Sequence, residues 1–218
     1  MPRETLEQRL QALRQQLISM ARLVDDAIAR SIQALVDRDA AAARAVIADD
    51  VSINRAQRDV EEQCIVLLAT QQPMARDLRT ILAILNVAVE LERVGDYAEG
   101  ISKITLRLLE EAPLKPLIDI PRMAELARQL LKDAMQALLD SDAGRARLIA
   151  ERDDEVDALT DQVYRDLLTF MIDDPKTITP ATYLIWVSHN LERAADRATN
   201  IAERVVQLAT GEIEELNP

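Results

Sequence analysis

The chain has little glycine and few aromatic residues. Of its 218 residues only four are glycine, and phenylalanine, tryptophan and tyrosine together make up 2%. Clusters of β-branched residues and strand-like alternation are also lacking, whereas Ala, Leu, Arg, Glu, Gln and Asp are abundant. This composition favours helix throughout. We predict an all-α protein whose core consists of Leu, Ile, Val and Ala.

Cysteine and long apolar runs are scarce as well. The single cysteine, Cys64, excludes an internal disulfide and is typical of a reducing compartment. No apolar run approaches the roughly 20 residues that span a bilayer. Residues 1–6 lack the apolar segment of a secretory signal. We therefore expect a cytoplasmic protein.

The charge of the chain is strongly acidic. The sequence contains 38 Asp and Glu against 26 Lys and Arg, a formal net charge of −12. Such a chain repels nucleic-acid phosphates and anionic lipids, so neither is expected as a general partner. We expect contact with a membrane only through other proteins. Cations and basic protein surfaces are compatible with this charge.

Apolar periodicity predicts six helices. Asp39 is expected to cap the second helix, Ser141 or Asp142 the fifth, and Thr179 the sixth. Gly211 is expected to end the sixth helix. The predicted helices cover residues 3–37, 39–71, 74–110, 121–139, 141–172 and 179–210.

Three prolines between residues 113 and 121 mark the strongest internal boundary, because proline cannot continue a helix. The predicted organisation is a three-helix bundle over residues 1–112, a proline-rich linker over 113–120 and a second three-helix bundle over 121–218.

The two halves match each other in sequence. The segment LERVGDYA at 91–98 aligns with LERAADRA at 191–198, an offset of 100. Residues 50–54 align with 153–157, an offset of 103. Two matches in the same order and at nearly equal offsets indicate an internal duplication, and hence two similar modules packed together.

Acidic residues border a face of small residues in each half. Glu92 and Asp96 flank the face that contains Gly95, and Glu192 and Asp196 lie at the matching places. A glycine inside a helix costs up to about 1 kcal/mol, so Gly95 is expected to have a packing reason. Like charges four residues apart destabilise a helix by a few tenths of a kcal/mol. Water, a basic residue from another helix or a metal ion could offset this repulsion.

A second oxygen-rich row lies on the preceding helix of each half. It contains Asp50 and Asn54 in the first half and Asp153 and Asp157 in the second. If the two helices pack side by side, four or more oxygen ligands can converge, a donor set that suits Mg²⁺, Mn²⁺, Ca²⁺ or ferric iron. Two or more bridged ions would be expected. A solvated acidic face and interhelix salt bridges are the alternatives.

These segments resemble a known family. ELERVGDYA at 90–98 and NLERAADRATN at 190–200 resemble the two copies of the PhoU signature, E-R-[IV]-G-D-x-A-x-N. QPMARDLR at 72–79 and DDPKTI at 173–178 resemble the segments that precede the signature in each repeat. The resemblance covers nearly the whole chain, including the proline-rich junction.

The resemblance implies two three-helix bundles side by side and multinuclear metal clusters of iron, zinc or magnesium. It also implies a negative regulator of phosphate uptake and of the phosphate-starvation response. Its partners would be the ATPase subunit of the phosphate ABC transporter and a sensor histidine kinase, and a homodimer is expected. The metal ligands carried over are Asp50, Asn54, Glu92, Asp96, Asp153, Asp157, Glu192 and Asp196, with Glu99 and Asn200 as additional candidates.

The chain departs from the signature in three places. Gly95 is replaced by Ala195 in the second copy, and the last Asn of the signature is Gly100 in the first copy. Asn54 stands where an acid is expected, which predicts a weaker first site.

No catalytic set is evident. The chain lacks a Gly-rich phosphate loop, a Ser/His/Asp set and a Cys/His pair. Its only histidine, His189, could border the second site or be an ordinary helix residue. We predict no catalytic residue and no enzyme activity. A purely structural helical adaptor without bound metal is the alternative function.

Overall fold

The structure is a computed structural model that describes residues 2–216, with side chains from residue 6 onward. Within these residues all regular secondary structure is helical, as predicted. A 3₁₀ turn, Pro175–Thr177, precedes the last helix. The α-helices are α1 (Pro2–Asp37), α2 (Ala40–Gln71), α3 (Arg76–Leu108), α4 (Asp119–Asp140), α5 (Ala143–Asp173) and α6 (Ile178–Thr210).

Short acidic side chains begin two of the helices. Asp39 Oδ1 accepts hydrogen bonds from the backbone N–H groups of Ala41 at 2.8 Å and Ala42 at 3.0 Å. Asp142 Oδ1 accepts one from Arg145 N at 3.0 Å. These oxygens satisfy amide donors that have no partner inside the helix. The predicted caps at Asp39 and Asp142 are thus confirmed.

Among the other predicted helix ends, Gly211 is confirmed and Thr179 is wrong. Gly211 ends α6 with φ +85°, a left-handed conformation that glycine adopts without strain. The prediction that Thr179 caps α6 is wrong, because α6 begins one residue earlier, at Ile178. Thr177 instead donates its hydroxyl to Phe170 O and Asp174 O and joins the 3₁₀ turn to α5. Likewise, α3 begins at Arg76, and Pro73 lies in the preceding turn.

Helices α1 to α3 form one bundle and α4 to α6 a second, as predicted. The bundles meet where α3 packs on α6 and α1 on α4, so α2 and α5 lie on opposite outer flanks. Helices α3 and α6 run antiparallel, since Glu90 meets Arg197 whereas Arg107 lies over the ring of Tyr183. The small-residue faces of α3 and α6 are buried as expected, and Cys64 is fully buried in the core.

A close helix approach explains Gly95. A Cβ atom at this position would lie 3.0 Å from Ile53 Cγ2 and 3.1 Å from Ile53 Cδ1, tighter than ordinary van der Waals contact. The missing side chain therefore lets Ile53 of α2 pack onto the α3 backbone. In the second bundle the equivalent pair is Val156 and Ala195, both buried. One half thus combines a large residue with glycine, and the other a smaller residue with alanine.

Ion pairs join the first two helices of each bundle differently. In the second bundle, Asp133 on α4 accepts hydrogen bonds from Arg145 at 2.8 Å and Arg152 at 2.6 Å, and its side chain is only 15% exposed. In the first bundle, Arg30 on α1 pairs with Asp49 on α2 at 2.8 Å, but Asp49 is 62% exposed. The α4–α5 contact is therefore held by the more shielded pair.

Arg38 forms hydrogen bonds to the backbone at the end of α3. Its guanidinium donates to the carbonyl oxygens of Leu108, Leu109 and Glu111 at 3.1, 3.3 and 2.8 Å. The Leu108 carbonyl is one that the helix C-terminus leaves without an intrahelical donor, and Leu109 and Glu111 lie just beyond the helix. The chain then runs through the proline-rich segment to α4. The domain boundaries placed around residues 113–120 stay a prediction.

Candidate metal sites

The first bundle brings four carboxylates together on the surface between α2 and α3. Burial raises the pKa of Asp50, and the charges of Glu99 and Asp96 raise it further. Partial burial also raises the pKa of Glu92, with added effects from Asp96 and Asp50, and the pKa of Asp96, with an added effect from Glu99. We call Asp50, Glu92, Asp96 and Glu99 the first acidic cluster. Its members repel one another, so the cluster holds excess negative charge.

The hydrogen bonds of this cluster leave one buried oxygen unsatisfied. Asn54 donates its amide to Asp50 Oδ2 at 2.6 Å. The other oxygen, Asp50 Oδ1, is buried and accepts no hydrogen bond from the described residues. Lys103 pairs with Glu99 at 2.6 Å, but the lysine side chain is 55% exposed. A buried acceptor left without a partner costs about 1–3 kcal/mol, and a cation would satisfy it.

The second bundle forms a similar cluster between α5 and α6. Burial raises the pKa of Asp157, and Glu192, Asp154 and Asp161 raise it further by like-charge repulsion. Burial also raises the pKa of Asp196, where the charges of Glu192 and Asp157 outweigh a weaker opposing effect of nearby cations. Asp157, Glu192 and Asp196 are named the second acidic cluster.

Two of the residues carried over from the family signature have other contacts. Asp153 is 1% exposed, and its Oδ2 accepts a hydrogen bond from the Thr199 hydroxyl at 3.1 Å. Asn200 donates its amide to Glu90 at 3.3 Å across the α3–α6 contact. Asp153 is therefore held inside the α5–α6 contact, and Asn200 serves the contact between bundles.

His189 lies at the rim of the second cluster. Its side chain is 61% exposed, and its Nδ1 contacts Glu192 Oε2. No arginine or lysine forms an ion pair with Asp157, Glu192 or Asp196 among residues 6–216. The negative charge of this cluster is thus balanced only in part.

The donor set fits a hard or borderline cation, although the side chains are not arranged around one ion. Among residues 6–216, no three His, Cys, Asp or Glu side chains converge closely enough to hold a metal as they are placed. Clustered carboxylates with raised pKa values and a buried acceptor oxygen are nevertheless the chemistry that a cation stabilises. Glu92 and Asp96 in the first cluster and Asp157 in the second all reach solvent.

Sequence reasoning missed three residues at these sites. Lys103 contacts Glu99, and Thr199 contacts Asp153. At the contact between bundles, Glu90 accepts hydrogen bonds from Arg197 at 3.2 Å and from Asn200. The duplication offers a signal for Thr199, because at an offset of 100 it corresponds to Glu99 of the first cluster. The spacing of four between Glu99 and Lys103 is a common ion-pair signal. No comparable signal marks the contact of Glu90 with the other bundle, because Arg197 and Asn200 lie more than 100 residues away in sequence.

Comparison with known protein families gives a consistent result. A family model described as the PhoU domain matches residues 17–105 and 120–205, one copy in each bundle. Two relatives bear the name phosphate-specific transport system accessory protein PhoU homolog. The one from Rhizobium meliloti is 38% identical over 206 residues, covering 94% of this chain and 87% of the relative. The one from Caulobacter vibrioides is 41% identical over 194 residues, covering 88% and 84%.

Solved structures show the same architecture. The crystal structure of PhoU from Pseudomonas aeruginosa superposes with a TM-score of 0.90 at 32% identity, covering 94% of this chain and 99% of that one. The phosphate transport system regulatory protein PhoU from Streptococcus pneumoniae gives 0.89 at 31% identity, covering 96% and 99%. The family resemblance and the fold class are both confirmed. The curated relatives are named accessory proteins, which agrees with the prediction that the chain is not an enzyme.

Proposed function

Because the chain belongs to the PhoU family, we propose that it is an accessory protein that regulates phosphate-specific transport and binds metal ions at its two acidic clusters. The regulatory part is supported by the names of relatives that match nearly the whole chain. The metal-binding part is supported chiefly by the first cluster, where Asp50 Oδ1 is buried without a hydrogen-bond donor among residues 6–216 and the carboxylates of Glu99 and Asp96 lie close enough to affect Asp50.

The proposed role is that of a cytoplasmic adaptor. It would restrain phosphate uptake and the phosphate-starvation response by docking on the ATPase subunit of a phosphate ABC transporter and on a sensor histidine kinase. No helix in residues 2–216 is long and apolar enough to cross a membrane. Contact with the membrane would then run through these partners. A homodimer also stays a prediction, which light scattering on the purified chain checks.

Each acidic cluster would bind two or more ions, because several carboxylates carry more charge than one divalent cation neutralises. Asp50, Glu92, Asp96 and Glu99 would supply oxygens in the first bundle, and Asp157, Glu192 and Asp196 in the second. Asn54 and Asp153 would adjust or support these ligands. Iron, zinc and magnesium are the candidate metals. Bound cations would offset the repulsion among these carboxylates, which adds to the effect of burial on their pKa values.

Elemental analysis tests the metal-binding proposal. Protein purified without chelator should contain metal, and Glu92→Gln with Asp96→Asn should remove the share held by the first cluster. Glu192→Gln with Asp196→Asn should remove the remainder, and circular dichroism should show that both variants stay helical. Metal-free wild-type protein whose partner binding matches both variants would instead support the purely structural adaptor.

The regulatory role needs a separate test in cells. A bacterial strain that lacks its own PhoU protein should take up excess phosphate, and expression of this chain should restore control. Radiolabelled phosphate uptake measures the effect. An unchanged uptake rate, with the protein expressed and folded, would contradict the regulatory proposal.

A further inference from the structure

A cavity of about 440 Å³ lies where both bundles meet the proline-rich segment. Its wall combines residues of α1, α3 and α6 with linker residues 112–117. Val36, Pro113 and Pro116 of this wall are exposed, so solvent reaches the edge of the cavity. The apolar side chains that line it include Leu35, Leu108, Leu114, Leu117, Pro180 and Leu184.

The same wall contains a cation that has no carboxylate partner among residues 6–216. Arg38 lines the cavity, forms no ion pair there, and makes all three of its hydrogen bonds to backbone carbonyls through Nη2. Its Nε and Nη1 donors are therefore left for other acceptors. The acidic residues on either side of it in sequence accept hydrogen bonds from other groups. Lys115, the other cation of the wall, pairs with Asp166 at 2.9 Å.

The duplication shows that the turn between the first two helices does not require an arginine. At the offset of 103, Ser141 occupies the equivalent place, and the backbone is left-handed in both, with φ 55° at Arg38 and 52° at Ser141. The long cationic side chain is thus specific to the first bundle, where backbone carbonyls hold its guanidinium in place. A guanidinium fixed in this way can donate to an anion without losing further conformational freedom.

We propose that this cavity binds a monocarboxylic acid with an apolar chain of about ten carbons, its chain against the leucine and proline side chains and its carboxylate on Arg38. An apolar cavity of about 150 Å³ holds a benzene-sized molecule, so 440 Å³ accommodates a body of this length. Small-molecule pockets are typically apolar, with a few polar groups that fix the orientation of the ligand. The proposal is independent of metal binding at the acidic clusters.

A purely structural role of Arg38 is the competing explanation. Its guanidinium would then only satisfy the carbonyl groups at the end of α3, and the cavity would not prefer an anion to a neutral molecule. The apolar wall could in that case receive a side chain of a protein partner. Such a wall would leave free carboxylic acids unbound.

Isothermal titration calorimetry of the full-length protein with sodium decanoate, kept below the concentration at which it forms micelles, tests the proposal. Decanoate should saturate one site per chain. Decanol has the chain without the charge, and acetate has the charge without the chain. Both should bind at least about 10-fold more weakly, because the charged hydrogen bond and the apolar contacts each contribute at least that factor.

Three variants locate the ligand. Arg38→Gln should weaken decanoate binding at least about 10-fold and change decanol binding less than about twofold. Lys115→Gln with Asp166→Asn is the matched control, because it removes a balanced pair at the same wall, and it should change decanoate binding less than about threefold. Leu114→Trp fills part of the cavity and should weaken both ligands at least about 10-fold. Circular dichroism should show that all three variants stay helical.

Each contrary result overturns the proposal at a different point. A wild-type chain that decanoate does not saturate contradicts it outright, and this is the result expected if the wall receives a side chain of a partner. Decanoate binding that survives in Leu114→Trp would place the ligand elsewhere. Equal affinities for decanoate and decanol, unchanged in Arg38→Gln, would remove the carboxylate from Arg38. Glu92→Gln with Asp96→Asn should bind decanoate as the wild type does, so the metal-binding proposal stands or fails separately.

Discussion

The two acidic clusters occupy equivalent places in the two bundles but use different side-chain partners. In the first, Asn54 donates to Asp50, and Glu99 adds a further negative charge. In the second, Thr199 stands where Glu99 stands in the first and donates to the buried Asp153. The duplicated halves thus retain the same helix arrangement, but position 99 carries a carboxylate whereas position 199 carries a hydroxyl that donates to a buried carboxylate.

The same comparison applies to the packing beneath the clusters. Ile53 fills the space that Gly95 leaves, whereas the second bundle has Val156 and Ala195 at these positions. The lost methylene on one helix accompanies the gained methyl on the other. Close packing allows such an exchange because the total volume is conserved. Local residue identity can therefore differ between the halves as long as the helices approach equally.

The largest expected effect lies at Thr199. Thr199→Val keeps the shape but removes the hydroxyl that donates to buried Asp153, and we expect the free energy of unfolding to fall by about 2 kcal/mol. Urea denaturation followed by circular dichroism measures the change. Glu99→Gln at the equivalent place is the control, with a change within about 0.5 kcal/mol. Equal losses of unfolding free energy in both variants would mean that the two positions contribute equally to stability.

The next effect concerns the pairs that join the first two helices of each bundle. Asp133→Ala removes the shielded acceptor of Arg145 and Arg152, with an expected loss of about 1.5 kcal/mol, since hydrogen bonds to charged groups are stronger than neutral ones. Asp49→Ala removes an exposed partner of Arg30, and the expected loss is below about 0.5 kcal/mol. Denaturation of the two variants side by side tests the difference, which a larger loss for Asp49→Ala would contradict.

The Asp133 pair also predicts a pH dependence. Burial by itself would raise the pKa of Asp133, but hydrogen bonds from Arg145, Arg152 and Gln129 lower it below its ordinary value. Its stabilisation is therefore present above the pKa of the unfolded chain and lost as the pH falls through the lower folded value. The stability difference between wild type and Asp133→Asn should be full at pH 7 and shrink toward pH 3. A difference that grows in acid would contradict this assignment.

A smaller effect is expected at Gly95. Gly95→Ala gains up to about 1 kcal/mol of helix propensity but forces Ile53 to move, and overpacking of this kind costs about 1–3 kcal/mol. We expect a net loss of about 1 kcal/mol. Ile53→Val combined with Gly95→Ala copies the second bundle and should be more stable than the sum of the single changes allows. Strict additivity in this double-mutant cycle would show that the two residues are not coupled.

The smallest effect should appear at Asp157. Asp157→Asn copies Asn54 of the first bundle and removes one repelling charge. In the presence of a chelator, its free energy of unfolding should therefore exceed that of the wild type by a few tenths of a kcal/mol. Asn54→Asp is the reciprocal change and should have the opposite sign. Thermal unfolding in the presence of a chelator measures both. Under the proposed function, Asp157→Asn should also lower the metal content of the second cluster, whereas Asn54→Asp should raise that of the first.

Much of the architecture was predictable because helix formation depends mainly on residues that are close in sequence. Apolar spacing predicted six helices, and Asp39, Asp142 and Gly211 marked ends that depend on hydrogen bonds between residues only a few positions apart. Thr179 misled the prediction, since the 3₁₀ turn and the Thr177 hydroxyl jointly moved the start of α6. A single turn competes with the helix in this segment, and the spacing of apolar residues does not distinguish the two.

The candidate sites were predictable only in part. The motif placed Glu92 with Asp96 and Glu192 with Asp196 on a face beside the packing surface, and the structure sets Asp50 and Asp157 near them. The motif did not reveal that Asp153 is buried and accepts a hydrogen bond from Thr199, or that Asn200 donates a hydrogen bond to Glu90. Periodicity shows which face of a helix is covered but not which residue of another helix lies opposite.

The amino-acid sequence by itself determined that the chain is helical, duplicated and acidic, because helix propensity, capping and charge are properties of neighbouring residues. Tertiary structure decided which carboxylates meet, which side-chain oxygens are buried and which polar groups join the two bundles. Those outcomes depend on the rotation and axial offset of packed helices. Contacts such as Ile53 against Gly95 set these quantities, and they form only when residues distant in sequence are brought together.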